Sequence, residues 1–370
     1  MSGNGRREFL RTVGTAGYAL GVAQLLGVED VVGTAGGEVS VITALVRPDP
    51  SDPWTIEKRT KSVPADWYAA VRKAFELNRR LAQSGITGYL GSAVVPGDYA
   101  EPGASITVDI SAQDFDQTLP FLETVLDEVA YDVNRVVRGE AATNERDGGP
   151  LRRVANVDDG RVPGGVSCRA DDSRATVTPA LYDPSAERRL FATASHTFRG
   201  SEPGQGVLVL PLENGQEVPL GRVYADHAIE DVAAVAPDGP HRPDSVIAGP
   251  TEVRVRGQFT RLGLADLVAR GESLEKVGAR TGHTTGQIEG IDAVTSLTGE
   301  SPRYGQLRWG NERDMADGDS GSVSFRADPA APDRGVLVAG FNNARTWWPG
   351  QNYIWGTTAY QLTDQYGYHF

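Results

Sequence analysis

The stretch 314-DMADGDSGSVSF-325 places Ser320 directly behind Asp319, with Gly318 and Gly321 on either side and an alternating apolar run after it. Glycines flanking one serine read as a tight turn, and the alternation after it reads as a strand. Two readings follow: a loop that aims Ser320 outward, or an acidic turn with no chemistry. A serine hydroxyl is a poor nucleophile until a neighbouring base takes its proton, and the base works best when a carboxylate fixes its tautomer. The first reading therefore requires a histidine and an acid elsewhere in the chain.

Five histidines are available: His196, His227, His241, His283 and His369. His196 stands apart because it ends a strand-like run, 190-LFATASHTF-198. Asp231 opens the short apolar run 231-DVAAV-235 and is the favoured acid, with Asp226 as the alternative. His283 lies in a Gly-His-Thr-Thr-Gly setting with no ligand-spaced partners, and His227 and His241 also lack metal-site context, so no metal site is expected. The spacing of acidic residues in 314–322 does not match a calcium loop. Gly-x-Ser-x-Gly is broken by Ser322, which argues against an α/β-hydrolase elbow.

Outward from these motifs, the chain divides by texture. Residues 38–150 read as a small α+β unit. A strand-like 39-VSVITALV-46 and a proline-rich linker are followed by a helix from Asp66 that stops at Gly85. Strands 86-ITGYLGSAVV-95 and 104-ASITVDIS-111 come next, then a helix beginning near Phe115 and a strand from Tyr131. The polar 140-EAATNERDGGP-150 marks the expected boundary. Residues 151–370 read as many short strands separated by turns, with Asn214-Gly215 as a hairpin signal. Helical patterns occur only at 264-LADLVARG-271 and in the closing 358-TAYQLTDQYGYHF-370.

The Thr-Ala-Ser-His setting of His196, the apolar run after Asp231 and the Gly-Asp-Ser-Gly around Ser320 together resemble the chymotrypsin-like (trypsin-like) serine proteases of bacterial type, in the same order along the chain. The segment 277-VGARTGHTTGQI-288 is similar to a glycine- and threonine-rich segment common in bacterial members. The resemblance covers about Arg161 to Phe370. It implies a mostly β fold, two antiparallel β-barrels of the chymotrypsin-like double-barrel kind, preceded here by the small α+β domain. It further implies a serine endopeptidase acting on a protein or peptide substrate without a cofactor, as a monomer. Ser320 would be the nucleophile, His196 the base and Asp231 its orienting acid. The backbone N–H groups of Gly318 and Ser320 would form the oxyanion hole, and Asp319 would be a buried counter-ion to a cation. That cation is either the amine of Val162, freed by cleavage after Arg161 in 161-RVPGG-165, or an internal arginine. Asp314 is either a specificity-pocket carboxylate for Lys or Arg side chains, or a solvated loop charge. Asn342 and Asn343 stand near where the family places a serine on the triad acid, and Asn343 is the candidate substitute. The competing class is a catalytically inactive extracellular binding module on the same fold.

The remaining features concern location. A formal charge of −13 argues against nucleic acid as partner, because phosphate binding needs a basic surface. Of 36 cationic residues only Lys58, Lys61, Lys73 and Lys276 are lysines, a balance that points to a salt-adapted surface, with a GC-rich genome as the alternative source of arginine over lysine. The single cysteine, Cys168, excludes an intramolecular disulfide. Residues 1–37, with paired Arg6 and Arg7 before a glycine- and alanine-rich apolar run, resemble a twin-arginine export signal, so a secreted protein with no integral membrane span is expected. The 38–150 unit is read as a permanent accessory domain in preference to a removable pro-segment.

Overall fold

A computed structural model describes residues 31–35, 37–137, 149–198, 204–296, 301–345 and 351–370. Arg6, Arg7 and most of the 1–37 export segment lie outside the described residues. The chain is mostly β, in two sheets, with four helices among the described residues: α1 (Ala65–Gln83), α2 (Phe115–Val125), α3 (Arg261–Ala269) and α4 (Ala359–Tyr366). None of these helices is long and apolar enough to cross a membrane.

The first sheet has seven strands, in the order Leu181–Asp183, Arg188–Ala194, Val232–Pro237, Glu217–His227, Val207–Pro211, Ser167–Ala170 and Ser173–Thr176. Its second strand explains why the double-β arrangement holds. Side chains alternate across a strand, and here both faces are apolar. Phe191 points into the core of this sheet with Cys168, Leu208, Leu220 and Val235. Leu190, Ala192 and Ala194 face the other way, into a layer shared with Val277, Val323, Phe341 and Leu362 of the C-terminal half. Each large apolar side chain buried this way contributes about 2 kcal/mol. The Asn214-Gly215 turn forms as expected, with Gly215 at φ 83°.

The second sheet is larger than a self-contained barrel, because strands from both ends of the chain build it. Glu38–Val46 pairs antiparallel with Val253–Phe259, and Tyr89–Pro96 pairs antiparallel with Gly282–Thr295. Gly257 makes the first junction possible: it sits at φ 155°, and a Cβ there would lie 2.0 Å from the Leu45 carbonyl oxygen. One apolar core holds Val41, Trp67, Val71 and Leu81 of the N-terminal stretch together with Phe259, Leu267, Ile291 and Leu337. Polar links cross the same joint. Arg308 pairs with Asp109 at 2.9 Å, both fully buried, and Lys61 Nζ reaches Asp266 Oδ1 at 2.5 Å. Arg47 donates to Tyr182 Oη at 3.1 Å and to the Val255 carbonyl at 2.7 Å, tying the N-terminal stretch to both sheets. The polar stretch near Gly149 thus separates two pieces of chain without separating two cores.

One strand, Glu57–Pro64, was not legible as such. It pairs only with Glu38–Val46 and leaves Glu57, Lys58 and Thr60 exposed, so its sequence carries no apolar alternation.

A specific cleavage site inserted within 138–148 tests the shared core. After cutting, the 38–137 piece should stay with the remainder through size-exclusion chromatography and separate only under denaturant. Separation in native buffer would show that the joint is weaker than its buried contacts require.

Candidate active site

The strand Arg188–Ala194 runs antiparallel to Val232–Pro237 with Ala194 opposite Val232. One step further, the Ser195 N–H donates to the Asp231 carbonyl at 3.2 Å. The next residue is His196, in the short 3-10 turn Ser195–Phe198. Its backbone N–H donates to Asp231 Oδ1 at 2.9 Å, and its ring Nδ1 lies 2.7 Å from Asp231 Oδ2. Both carboxylate oxygens therefore hold this one histidine. Asp231 is buried and adopts φ 57°, a left-handed conformation that asparagine and aspartate tolerate better than most residues. The alternative acid, Asp226, instead accepts a hydrogen bond from the Ser195 hydroxyl.

Burial alone lowers the His196 pKa, but the hydrogen bond and charge of Asp231 outweigh it and leave the ring above the ordinary value of 6.5. Arg303 lowers it and Asp317 raises it by smaller amounts. The ring is half exposed, which leaves one edge open to solvent.

The turn that carries Ser320 packs against the strand leading to His196. Gly321, at φ 92°, packs so closely on Ser173–Thr176 and on the strand leading to His196 that a Cβ would lie 2.2 Å from the Thr176 carbonyl oxygen and 3.1 Å from the Thr193 Cα. Thr176 N–H donates to the Ser320 carbonyl at 2.8 Å, and the Thr176 hydroxyl donates to the Gly318 carbonyl at 2.8 Å. Within the turn the Asp319 N–H donates to the Ala316 carbonyl and the Ser322 N–H to the Asp319 carbonyl, while the Gly321 N–H donates outward to the Asn342 carbonyl; none of these bonds uses the N–H groups of Gly318 and Ser320. Gly318 sits at φ 105°, where a side chain is strained. Among the described residues no hydrogen bond joins the Ser320 hydroxyl to the His196 ring. Such contacts often tighten only when substrate binds.

Asp319 has no solvent access. Its Oδ1 accepts from Arg280 N–H at 2.7 Å and Thr281 N–H at 3.1 Å, and its Oδ2 from the Thr281 hydroxyl at 2.7 Å and Ala316 N–H at 3.0 Å. The buried cation is Lys276, with Nζ 3.6 Å from Asp319 Oδ2 and 2.7 Å from the Thr281 hydroxyl oxygen. Burial pulls the Lys276 pKa below the ordinary lysine value against the raising charges of Asp319 and Asp314. This differs from both cations named from the sequence. The Arg161 guanidinium lies 3.6 Å from Asp244 at the surface, and Val162 is buried in a strand paired with Pro243. The signal for Lys276 was a lysine inside an apolar strand, 273-SLEKVG-278, in a chain with three others.

Asp314 ends the 3-10 turn Glu312–Asp314 and closes its capping box. Its Oδ2 accepts from Asn311 N–H at 3.0 Å while the Asn311 side chain accepts from Arg313 N–H at 2.9 Å. Among the described residues no hydrogen bond joins the Asn343 side chain to Asp231. Its Nδ2 donates to the Glu230 carbonyl at 3.0 Å, and Asn342 Oδ1 accepts from Trp309 Nε1. His283 Nε2 lies 2.8 Å from Glu275. Among the described residues no three His, Cys, Asp or Glu side chains cluster to hold a metal. Cys168 is buried, its pKa pushed up to about 12 by burial, which makes it a poor nucleophile.

Comparisons with known proteins were made on the whole chain. No family model matches it, and no curated protein matches it. Among solved structures it is similar to a glutamic-acid-specific serine protease, at 17% identity over 56% of this chain and 99% of that one, with a TM-score of 0.42. It is also similar to a Nocardiopsis protease, at 14% identity over 56% and 97% of the two chains with a TM-score of 0.41. A third similar structure is Thermobifida fusca protease A, at 16% identity over 56% and 97% with a TM-score of 0.40.

The assignment of Lys276 as the Asp319 cation predicts that Lys276→Met costs about 3–5 kcal/mol in urea unfolding, because it strands a buried carboxylate. Arg161→Gln, a surface change, should stay within about 0.5 kcal/mol of the parent. Equal effects of the two substitutions would contradict the assignment.

Proposed function

We propose that the protein is a secreted serine endopeptidase that cleaves peptide bonds through an acyl-enzyme. The observation that carries this reading is His196 held by both oxygens of Asp231, one on its backbone N–H and one on its ring, next to the strand against which the Ser320 turn packs. In the reaction, Ser320 Oγ attacks the scissile carbonyl while His196 Nε2 takes its proton. Asp231 keeps the Nδ1–H directed at itself and stabilises the imidazolium. The carbonyl oxygen, now carrying negative charge, is received by the N–H groups of Gly318 and Ser320, each worth about 3 kcal/mol in comparable sites. His196 then returns the proton to the departing amine, and water attacks the acyl-enzyme by the reverse sequence. Asp319 and Lys276 hold the turn that presents the two donors. No step in this sequence calls for a cofactor. Export by the twin-arginine route and work in salt are part of the same proposal, resting on the N-terminal sequence and the acidic, lysine-poor composition.

The second reading, a binding module without catalysis, is favoured by the open Ser320–His196 contact. A fluorophosphonate probe separates the two. Catalysis predicts labelling of Ser320 that falls at least 100-fold in His196→Ala; folded protein that never labels, at any salt concentration, supports the module. The pH dependence adds a check. His196 must be neutral to act as base, so kcat/KM should rise with pH through a midpoint above 6.5, and Asp231→Asn should move that midpoint down.

A further inference from the structure

We propose that Glu230 is the positioning residue for Asp231, clamped by three side chains from the C-terminal half of the chain. This inference rests on the catalytic reading above. Asp231 belongs to the connection between Glu217–His227 and Val232–Pro237, both in the first sheet. That sheet fixes only one end of the residue, through the Ser195 N–H on the Asp231 carbonyl. The residue sits at φ 57°, a left-handed conformation that is strained for a non-glycine and needs support from both sides.

The other support comes from the preceding residue. The Glu230 carbonyl accepts from Asn343 Nδ2 at 3.0 Å and from the Thr357 hydroxyl at 2.9 Å. Its carboxylate accepts from the Tyr366 hydroxyl. Asn343 lies in Val336–Arg345, Thr357 in Ile354–Thr358 and Tyr366 at the end of α4. Glu230, Asn343 and Thr357 are all buried. The start of the same connection is held as well: the His227 ring stacks on Tyr366 at 3.7 Å and its Nε2 lies 3.1 Å from the Tyr368 hydroxyl. The peptide joining Glu230 to Asp231 therefore has its carbonyl fixed by two donors from the opposite sheet. That fixes the direction in which the Asp231 side chain leaves the backbone. Among the described residues the Asp231 carboxylate accepts hydrogen bonds from His196 and from no side chain of the C-terminal half, so the half acts on it through its neighbour.

The test is Asn343→Ala with Thr357→Val in the full-length chain, read by NMR titration of His196 and by kinetics on a peptide p-nitroanilide. The charged groups facing the His196 ring are Asp231, Arg303 and Asp317, and only the first is attached to the clamp. If the clamp positions Asp231, the folded double variant shows a His196 pKa below the parent's. It also shows kcat reduced roughly tenfold with little change in KM. Thr357→Ser in the Thr357 single series restores both. An unchanged His196 pKa in the folded variant overturns the proposal, because a merely stabilising contact would alter unfolding and not this titration. If the double variant does not fold, Thr357→Val alone against Thr357→Ser gives the same decision. If the parent protein proves inactive, the catalytic reading fails, while the titration still reports whether Glu230 holds Asp231 on His196.

Discussion

The antiparallel register that sets Ala194 opposite Val232 is the constraint on which the site depends. Two strands locked in that register deliver Ser195 and Asp231 to adjacent positions, and the carboxylate then meets both the backbone and the ring of His196. The register cannot slip without cost. A shift of one residue would turn Phe191 out of the first core and Leu190, Ala192 and Ala194 out of the layer between the sheets. The histidine and its acid are positioned by apolar burial, and polar chemistry takes over only at the strand ends.

The Ser320 side follows a different rule. Ser320 sits on a turn with little apolar content, held by a fully buried carboxylate with four hydrogen-bond donors and one lysine. Close packing completes it: Gly321 lies against Thr193, three residues ahead of His196, at a distance that only glycine permits. The N-terminal stretch belongs to the same mechanical unit. Its strands extend the second sheet at two places, and buried pairs such as Arg308–Asp109 stitch the joint. Breaking one member of such a pair strands a charge, which makes the joint difficult to open.

Much of this was legible in the sequence where the signal is local. The helical spacing from Asp66, the hairpin at Asn214-Gly215, the strand ending at His196 and the Gly-Asp-Ser-Gly turn all form near their expected positions. What escaped was long-range pairing. Nothing near Lys276 in sequence says that its partner is Asp319, and the sequence offered the amine of Val162 or an internal arginine instead. The continuity of the N-terminal strands with the second sheet is set by partners two hundred residues away, which a polar linker near Gly149 conceals. Asp314 was within reach: Asn311 followed three residues later by an acid is a capping pattern, and the structure uses it as one.

We propose that His196, Asp231 and Ser320 work as one unit where the two sheets meet. A crystal structure with a peptide boronate bound at neutral pH tests it most directly. The account predicts boron bonded to Ser320 Oγ, one boronate oxygen within hydrogen-bond distance of the N–H groups of Gly318 and Ser320, and His196 Nε2 on the reacting side. An unmodified Ser320, with the His196 ring turned out of reach in an accessible cleft, would contradict it.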